Sequence, residues 1–409
     1  VAGNVVTVKE GAGEGVATIE ATFVIDGVTF TKDFTVTLVG AGLTGQVYYS
    51  TDDNQFFFTN SELASKEVTK VTDFETNTVY FENGTATADI ENTTNAIDSY
   101  IRWVNVTCAD GTEGKIQLIS YTKVINEASD LTALINTKGT ASAQETVTGY
   151  FALLGDIIVD SSYDTVDNAY SFFAGVLDGN GHTIKNLVVG ANGLIGGITA
   201  GGQIKNLAIT VTSASAGATG LIANKSKFTA NASNAYDGSN ASSVFLIDNC
   251  YFDIDFAWNG ASSSLFGLAV AQAQSLNIIN SVIDVATGVF TAPTTANAAV
   301  GYGVIYNNPA VGQMTSQIGD YVYFGKQNTT TKYVLFDNTY YVNNDYAFIS
   351  VKLGTNANTK LAFVCENDTA AVSANASTYR VALVSGLNRY SSVSELPSTA
   401  TAIRPSANA

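Results

Sequence analysis

FAGVLDGNGHTIKNLVVGANGLIGGITAGGQIKNLAI, residues 173–209, is the stretch whose reading decides the fold. It holds two copies of one phrase, Ile184-Lys185-Asn186-Leu187-Val188-Val189 and Ile204-Lys205-Asn206-Leu207-Ala208-Ile209. A third copy is Ile247-Asp248-Asn249-Cys250-Tyr251-Phe252. Two looser ones follow, Ile278-Ile279-Asn280-Ser281-Val282-Ile283 and Phe336-Asp337-Asn338-Thr339-Tyr340-Tyr341. A second element alternates with them: Gly193-Leu194-Ile195-Gly196, Gly220-Leu221-Ile222, Ser264-Leu265-Phe266-Gly267 and Gly303-Val304-Ile305. Internal repeats outrank other signals. The shortest step, from Asn186 to Asn206, is about 20 residues, and insertions lengthen the later steps, as in a coiled solenoid with variable loops.

The parity around each asparagine carries the geometry. In Ile204 to Ile209 the period-two apolar pattern slips by one at Asn206, as at a bulge or a tight corner between strands. Asparagine tolerates left-handed backbone angles better than other non-glycine residues. Stacked coils then place the five asparagines in one column, with amides hydrogen-bonding along the stack. The expectation is a parallel β-helix. The same slip turns Cys250, Phe252 and Ile254 inward and Tyr251, Asp253 and Asp255 outward.

Outside the repeat the pattern stays β. Residues 16–39, VATIEATFVIDGVTFTKDFTVTLV, alternate in period two about Asp26-Gly27, the signature of a two-residue hairpin turn. This segment resembles the last two strands of a bacterial immunoglobulin-like domain. Its exposed edge is a template for strand addition, hence for self-association. Gln46–Ser50, residues 54–58, 78–82 and 100–107, and residues 115–121 read as strands of a small sandwich. Phe56, Phe57 and Phe58 are consecutive, so one ring must face outward or a neighbouring domain. Residues 130–136 read as a short helix with Asp130 as N-cap.

The tokens Asp178-Gly179-Asn180-Gly181-His182-Thr183-Ile184 and Gly193-Leu194-Ile195-Gly196, with Tyr150 to Ile157 upstream, resemble the repeat of GLUG-motif proteins, secreted or surface proteins of bacteria. The likeness is good over about residues 150–210 and weaker, though in phase, to about 345. The resemblance implies a right-handed β-helix on an adhesive or cell-wall-associated protein and brings no defined catalytic residues. The expected fold class is therefore all-β, a right-handed parallel β-helix preceded by Ig-like and β-sandwich segments. The segments are 1–40, a partial Ig-like hairpin; 41–125, a sandwich spacer; 126–349, the parallel β-helix; and 350–409, a C-terminal β segment and linker.

Composition narrows the function. The chain has 409 residues, only 13% of them charged, with 19 Lys plus Arg against 36 Asp plus Glu and a net charge of −17. An acidic chain without a basic block is a poor match for phosphate backbones, so no nucleic-acid partner is expected. His182 is the one histidine, which excludes a His-based zinc site. Cys108, Cys250 and Cys365 form no C-x-x-C pair, and Cys250 reads as a small buried hydrophobe. No apolar run is long enough for a membrane helix, so membrane insertion is not expected. The chain begins at Val1 rather than Met and reads as a piece of a longer protein.

Candidate chemistry is sparse. His182 sits in a Gly/Asn/Asp turn that turn geometry explains. Aligning the copies sets Asp253 beside Asp284 on adjacent coils, with Asp255 on the same outer face. Like charges at that range raise one pKa or recruit a cation, and Ca²⁺ favours such oxygens. Asp253, Asp255 and Asp284 are thus the candidate metal ligands, Ca²⁺ being the one cofactor considered. Solvation of the outer face is the plain alternative, and Lys185, Lys205 and Asp248 suggest a stacking ladder of charge. Arg102, Arg380, Arg389 and Arg404 all lie outside the expected helix, so cationic clamps for acidic polymers are missing there. Trp258, Tyr321, Tyr323, Phe324, Tyr333, Tyr340, Tyr341 and Tyr346 crowd the late coils and could stack on sugars if exposed. Nine N-x-S/T sequons are no more than this Asn-, Ser- and Thr-rich composition gives by chance.

These features predict an extracellular, cell-surface structural or adhesive protein, not an enzyme, whose partners are host or cell-wall glycans or surface proteins. The rivals are a polysaccharide-degrading β-helix enzyme acting through the acids near Asp253 and Asp284, and a phage fibre or spike.

Overall fold

The alternation of β-branched and aromatic residues with small polar ones is realised as strands. A computed structural model describes residues 15–25, 28–38, 43–87, 90, 100–135, 145–159, 171–190, 193–214, 220–223, 225–227, 244–256, 264–268, 276–286, 303–307, 323–324, 333–343, 349–352, 360–369 and 380–401. The fold is all-β with several parallel sheets. The chain divides into two compact units, residues 1–94 with 99–121, and residues 95–98 with 122–409.

In the second unit three parallel sheets recur in chain order. Sheet I joins Lys123–Ile125, Tyr150–Leu153, Val176–Asp178, Gln203–Lys205, Phe245–Asp248, Leu276–Ile279, Tyr333–Asp337 and Tyr323–Phe324. Sheet II joins Ile157–Ile158, Thr183–Val189, Ala208–Ala214, Tyr251–Ile254, Val282–Val285, Thr339–Val342 and Leu387–Tyr390. Sheet III joins Glu145–Val147, Ser171–Phe173, Gly197–Thr199 and Lys225–Lys227. From Tyr150 the chain visits I, II and III three times over. Thereafter Ser264–Leu268 and Gly303–Asn307, paired parallel to each other, follow sheet II in the same order. The sheet II strand Leu387–Tyr390 lies within the segment that the sequence pattern reads as C-terminal to the repeat.

Register stacks like on like. Leu177, Ile204, Ile247, Ile278 and Phe336 are successive partners in sheet I, and Ile184, Ile209, Phe252, Ile283 and Tyr341 in sheet II. All ten are buried in one continuous apolar core, together with Leu194, Ile195, Leu221 and Ile222 of the second repeat element. Each such side chain contributes about 1.5–3 kcal/mol by leaving water.

The corner between sheets I and II is where the asparagines sit. Asn206, Asn249, Asn280 and Asn338 have φ of 50°, 54°, 48° and 42°. The Asn249 amide donates to Asn206 Oδ1 at 2.9 Å, and Asn338 donates to Asn280 Oδ1 at 2.9 Å. Asn206 donates to Asp178 Oδ1 at 3.1 Å and Asn280 to Asp248 Oδ1 at 2.8 Å, so carboxylates interrupt the amide column. The next residue closes the corner with a short donor: Ser281 Oγ reaches the Ile279 carbonyl at 2.7 Å and Thr339 Oγ1 the Asp337 carbonyl at 2.8 Å.

Asn186 does not belong to this column. Register pairs Leu177 with Ile204 and Ile184 with Ile209, so the first copy of the phrase lies wholly in sheet II. There Asn186, at φ 59°, occupies a bulge between Ile184 and Leu187, and its N–H donates to Thr210 Oγ1 at 2.9 Å. The corner in that circuit is Gly179-Asn180, with Asn180 at φ 50° and its amide on the Leu153 carbonyl. Gly179 is required by contact: a Cβ would lie 2.4 Å from the Asn206 carbonyl oxygen. A left-handed asparagine can make either a bulge or a corner, and the step from Asn186 to Asn206 is therefore not a circuit length.

Among the described residues the first unit holds two sheets. Gly15–Ile25 and Val28–Leu38 pair antiparallel, with Ile25 opposite Val28 as the hairpin pattern requires. The sequence pattern of residues 41–125 reads as a sandwich. The described strands instead form one seven-stranded mixed sheet in the order Gln55–Phe57, Gln46–Ser50, Glu113–Tyr121, Tyr100–Cys108, Val68–Asp73, Val79–Glu82, Thr85–Ala86. One face carries the buried side chains Val47, Tyr49, Phe56, Val71, Phe81, Val104, Val106, Ile116 and Leu118, and Leu63 packs into the same cluster. Leu63 comes from the helix Ser61–Lys66, whose cap is Asn60 Oδ1 accepting from the Glu62 N–H at 2.7 Å. Period-two alternation finds strands but not what covers them, and among the described residues the helix contributes Leu63 to the buried face. Phe56 and Phe58 both pack on Phe81, at ring separations of 5.4 and 5.2 Å.

The short helical element is a 3₁₀ helix, Ala128–Leu134, capped by Glu127. Asp130 is therefore its third residue rather than its cap, and its Oδ2 accepts from the Asn126 and Glu127 N–H groups at 2.9 and 3.0 Å.

Because the corner combines a left-handed residue with an inter-circuit amide bond, Asn249→Ala is expected to lower stability by about 2 kcal/mol, from backbone strain and one lost hydrogen bond together. Asn249→Gly keeps the backbone and is expected to lose about 1 kcal/mol. Urea-denaturation midpoints of the two variants check this.

Candidate functional site

Sheet II presents its outer side chains in columns. Ala208, Tyr251, Val282 and Tyr340 stack in one, and Thr210, Asp253, Asp284 and Val342 in the next. Cys250, Phe252 and Ile254 are fully buried, as the parity slip requires. Burial pushes the Cys250 thiol up to about 12, so it behaves as a hydrophobe rather than a nucleophile.

The outward column of Tyr251 is not solvated, however. Ala208, Tyr251, Val282, Tyr340 and Val342 form a second apolar layer with Leu396 and Ala400 of the C-terminal segment. Tyr340 and Tyr341 are accordingly both buried. Trp258, Tyr321 and Tyr346 lie outside the described residues, as do the side chains of Tyr323, Phe324 and Tyr333.

Asp253 and Asp284 are direct register partners on neighbouring strands, roughly 4.8 Å apart along the stack. Asp253 is half-buried, Asp255 exposed. Burial first, and then the charges of Asp284 and Asp255, push the Asp253 carboxyl up to about 6. Asp284 Oδ2 accepts a hydrogen bond from Tyr251 Oη at 2.7 Å. Asp284 is thus anchored by a phenol, while burial and its neighbours' charge favour the protonated form of Asp253. Among the described residues no three His, Cys, Asp or Glu side chains lie close enough together to hold a metal ion. Asp253, Asp255 and Asp284 share a face without forming such a cluster.

Other ionisable groups are engaged structurally. His182 Nδ1 lies 3.7 Å from Asp156 Oδ1, and Asp156 also takes Lys185 Nζ at 2.7 Å and the Thr183 N–H at 2.9 Å. Burial would raise the Asp156 carboxyl, but these donors outweigh it and hold it below the usual range. Lys205 sits in register between Asp178 and Asp248, with its Nζ 3.5 Å from Asp178 Oδ2. Sequence reasoning took Asp178 only as a turn residue. It is a buried hub that accepts Tyr150 Oη at 2.5 Å, the Asn180 N–H at 3.0 Å and the Asn206 amide. Arg389 Nε is likewise bound to both oxygens of Asp368, at 2.8 and 2.9 Å, and no local pattern announces it.

In the first unit a groove of about 550 Å³ is lined by Phe58, Leu63, Val68 and Phe81, with Glu67 and Asn83 at its rim. It holds one carboxylate and no partner acid or base for it. No helix among the described residues is long and apolar enough to cross a membrane.

No family model matches the chain, and no curated protein matches it. Among solved structures, one from Bacteroides ovatus, named a "putative immunoglobulin A1 protease", is similar at 16% identity and a TM-score of 0.31. The match covers 69% of this chain and 88% of that one. A likeness of that size carries no argument about activity.

The Asp253 carboxyl has a folded pKa above its ordinary value, so the folded state binds its proton more tightly than the unfolded state does. The resulting stability is complete below about pH 4 and lost as pH rises through about 6. Asp253→Asn is expected to raise Tm by about 2–4 °C at pH 8 and to leave it unchanged at pH 4. Thermal unfolding across pH 4–8 measures both.

Proposed function

We propose that this chain is a right-handed parallel β-helix preceded by smaller β modules, and that it works outside the cell as a structural and adhesive surface protein. The observation that carries this reading is the recurrence of the same parallel sheets in the same order over one uninterrupted apolar core. Parallel crossovers are right-handed in about 98% of cases, which supports the handedness. Every circuit braces the next through backbone pairing and corner amides, a construction suited to a rigid display surface. The resemblance to GLUG-motif surface proteins points the same way. Host or cell-wall glycans, or surface proteins, are the partners such a surface would meet.

The Asp253–Asp284 pair favours a second reading, a polysaccharide-degrading enzyme, because a carboxyl near pH 6 beside a second carboxylate has acid–base capacity. Tyr251 on Asp284 weighs against it, since it occupies an oxygen that the chemistry would need.

The test is binding of the whole chain to arrayed glycans and surface proteins, with Ca²⁺ and with a chelator, while the supernatant is analysed for oligosaccharides. Binding without cleavage and without a Ca²⁺ requirement is the expected outcome. Products that disappear in Asp253→Ala overturn the non-enzymatic reading, and failure to bind any glycan or surface protein overturns the adhesive one.

A further inference from the structure

Five large hydrophobic side chains are exposed among the described residues: Phe74, Ile101, Trp103, Ile158 and Leu383. Three of them, Phe74 at 43%, Ile101 at 52% and Trp103 at 39%, belong to one place, the outer face of the seven-stranded sheet in the first unit. Such clustering on a surface marks a site of recognition more often than chance.

Register defines what surrounds them. Trp103 lies opposite Gln117, which lies opposite Gln46. The next row is Ile101, Ile119 and Tyr48, and the row on the other side is Thr72, Asn105 and Lys115. Partners in register share a face, so these three rows form a strip in which exposed Trp103 and Ile101 are interleaved with half-buried primary amides, while Ile119 beneath them is buried. The amides are already oriented: Gln46 Nε2 donates to Gln117 Oε1 at 3.4 Å, and Tyr48 Oη donates to Gln46 Oε1 at 2.7 Å. Lys115 Nζ lies 3.2 Å from the centroid of the Phe74 ring and 5.2 Å from that of Trp103, which clamps both rings in place. Preorganised rings lower the ordering cost of binding.

Charge selects the occupant. The chain carries −17 overall, yet no carboxylate enters these rows; Glu113 appears only in the row beyond, opposite Thr107. The strip's single cation already lies between two rings. A polyanion would meet no free positive group here and a repulsive protein behind it. Rings for the apolar faces of sugars, with amides for their hydroxyls, fit an uncharged carbohydrate.

We propose that the outer face of this sheet, centred on Trp103 and Phe74 with Gln46 and Gln117, is a binding site for neutral polysaccharide. The proposal rests on the adhesive reading above and gives it a ligand class and a place.

The test runs the whole chain through native affinity gels containing β-glucan, mannan or xylan, with polygalacturonate as the acidic comparison. Tryptophan fluorescence is followed in parallel, and circular dichroism checks folding. The expected result is retardation by at least one neutral polymer, weakened at least tenfold in Trp103→Ala and Phe74→Ala. Trp103→Phe is expected to keep most of it and Ile158→Ala, in the other unit, all of it. Retardation that Trp103→Ala leaves untouched overturns the site but not glycan adhesion. Preference for polygalacturonate overturns the ligand class. Self-association that Trp103→Ala abolishes, without retardation by any polymer, assigns the face to a second copy of the chain and overturns the proposal. No retardation and no self-association overturns it as well; if surface proteins on the array still bind, the adhesive reading survives that result.

Discussion

The constraint on which the second unit depends is the left-handed corner between sheets I and II. In each circuit the chain passes from sheet I to sheet II through one tight corner. At Asn206, Asn249, Asn280 and Asn338 the backbone takes the left-handed region, and the side chain meets the circuit below. The following residue, Ser281 or Thr339, then satisfies a carbonyl two positions back. The branched residues on either side of the corner stack in register, and their side chains make up the apolar core.

The same stacking makes the outer columns consequential. Placing like positions one strand apart helps apolar residues and penalises like charges. Tyr251, Val282 and Tyr340 gain a layer by receiving Leu396 and Ala400. One position along, Asp253 meets Asp284, and the strain appears as a carboxyl that holds its proton to about pH 6. The neighbouring phenol stabilises one member of the pair and leaves the other to titrate. That asymmetry arises from the register, which sets the two carboxyls on neighbouring strands and gives only one of them the phenol.

The first unit solves a different problem. Its sheet has one buried face, which includes Phe56 and Phe81 and packs with Leu63 of the helix Ser61–Lys66, and one outer face that carries rings and amides. The first unit thus leaves aromatic side chains on an open sheet face, whereas the second closes its apolar side chains into one core.

Much of this is legible in the residues. The period-two pattern, the slip at asparagine and the inward set Cys250, Phe252 and Ile254 are local, and local pattern determined them; the adjacency of Asp253 to Asp284 was legible only because the repeat aligns their two strands. What the chain could not announce are facts about partners distant in sequence. The two IKNL phrases are identical, yet one forms a corner and the other a bulge, because the register of Leu177 on Ile204 is chosen by the whole core. Tyr251 faces outward as its parity demands but is buried, because Leu396 and Ala400 return to cover it. The platform around Trp103 joins residues from strands that lie far apart in the chain. Sequence by itself determined which side of each strand a residue occupies, since that is a matter of alternation. Only tertiary structure decided what each side meets, since that depends on which strands, of many similar ones, become neighbours.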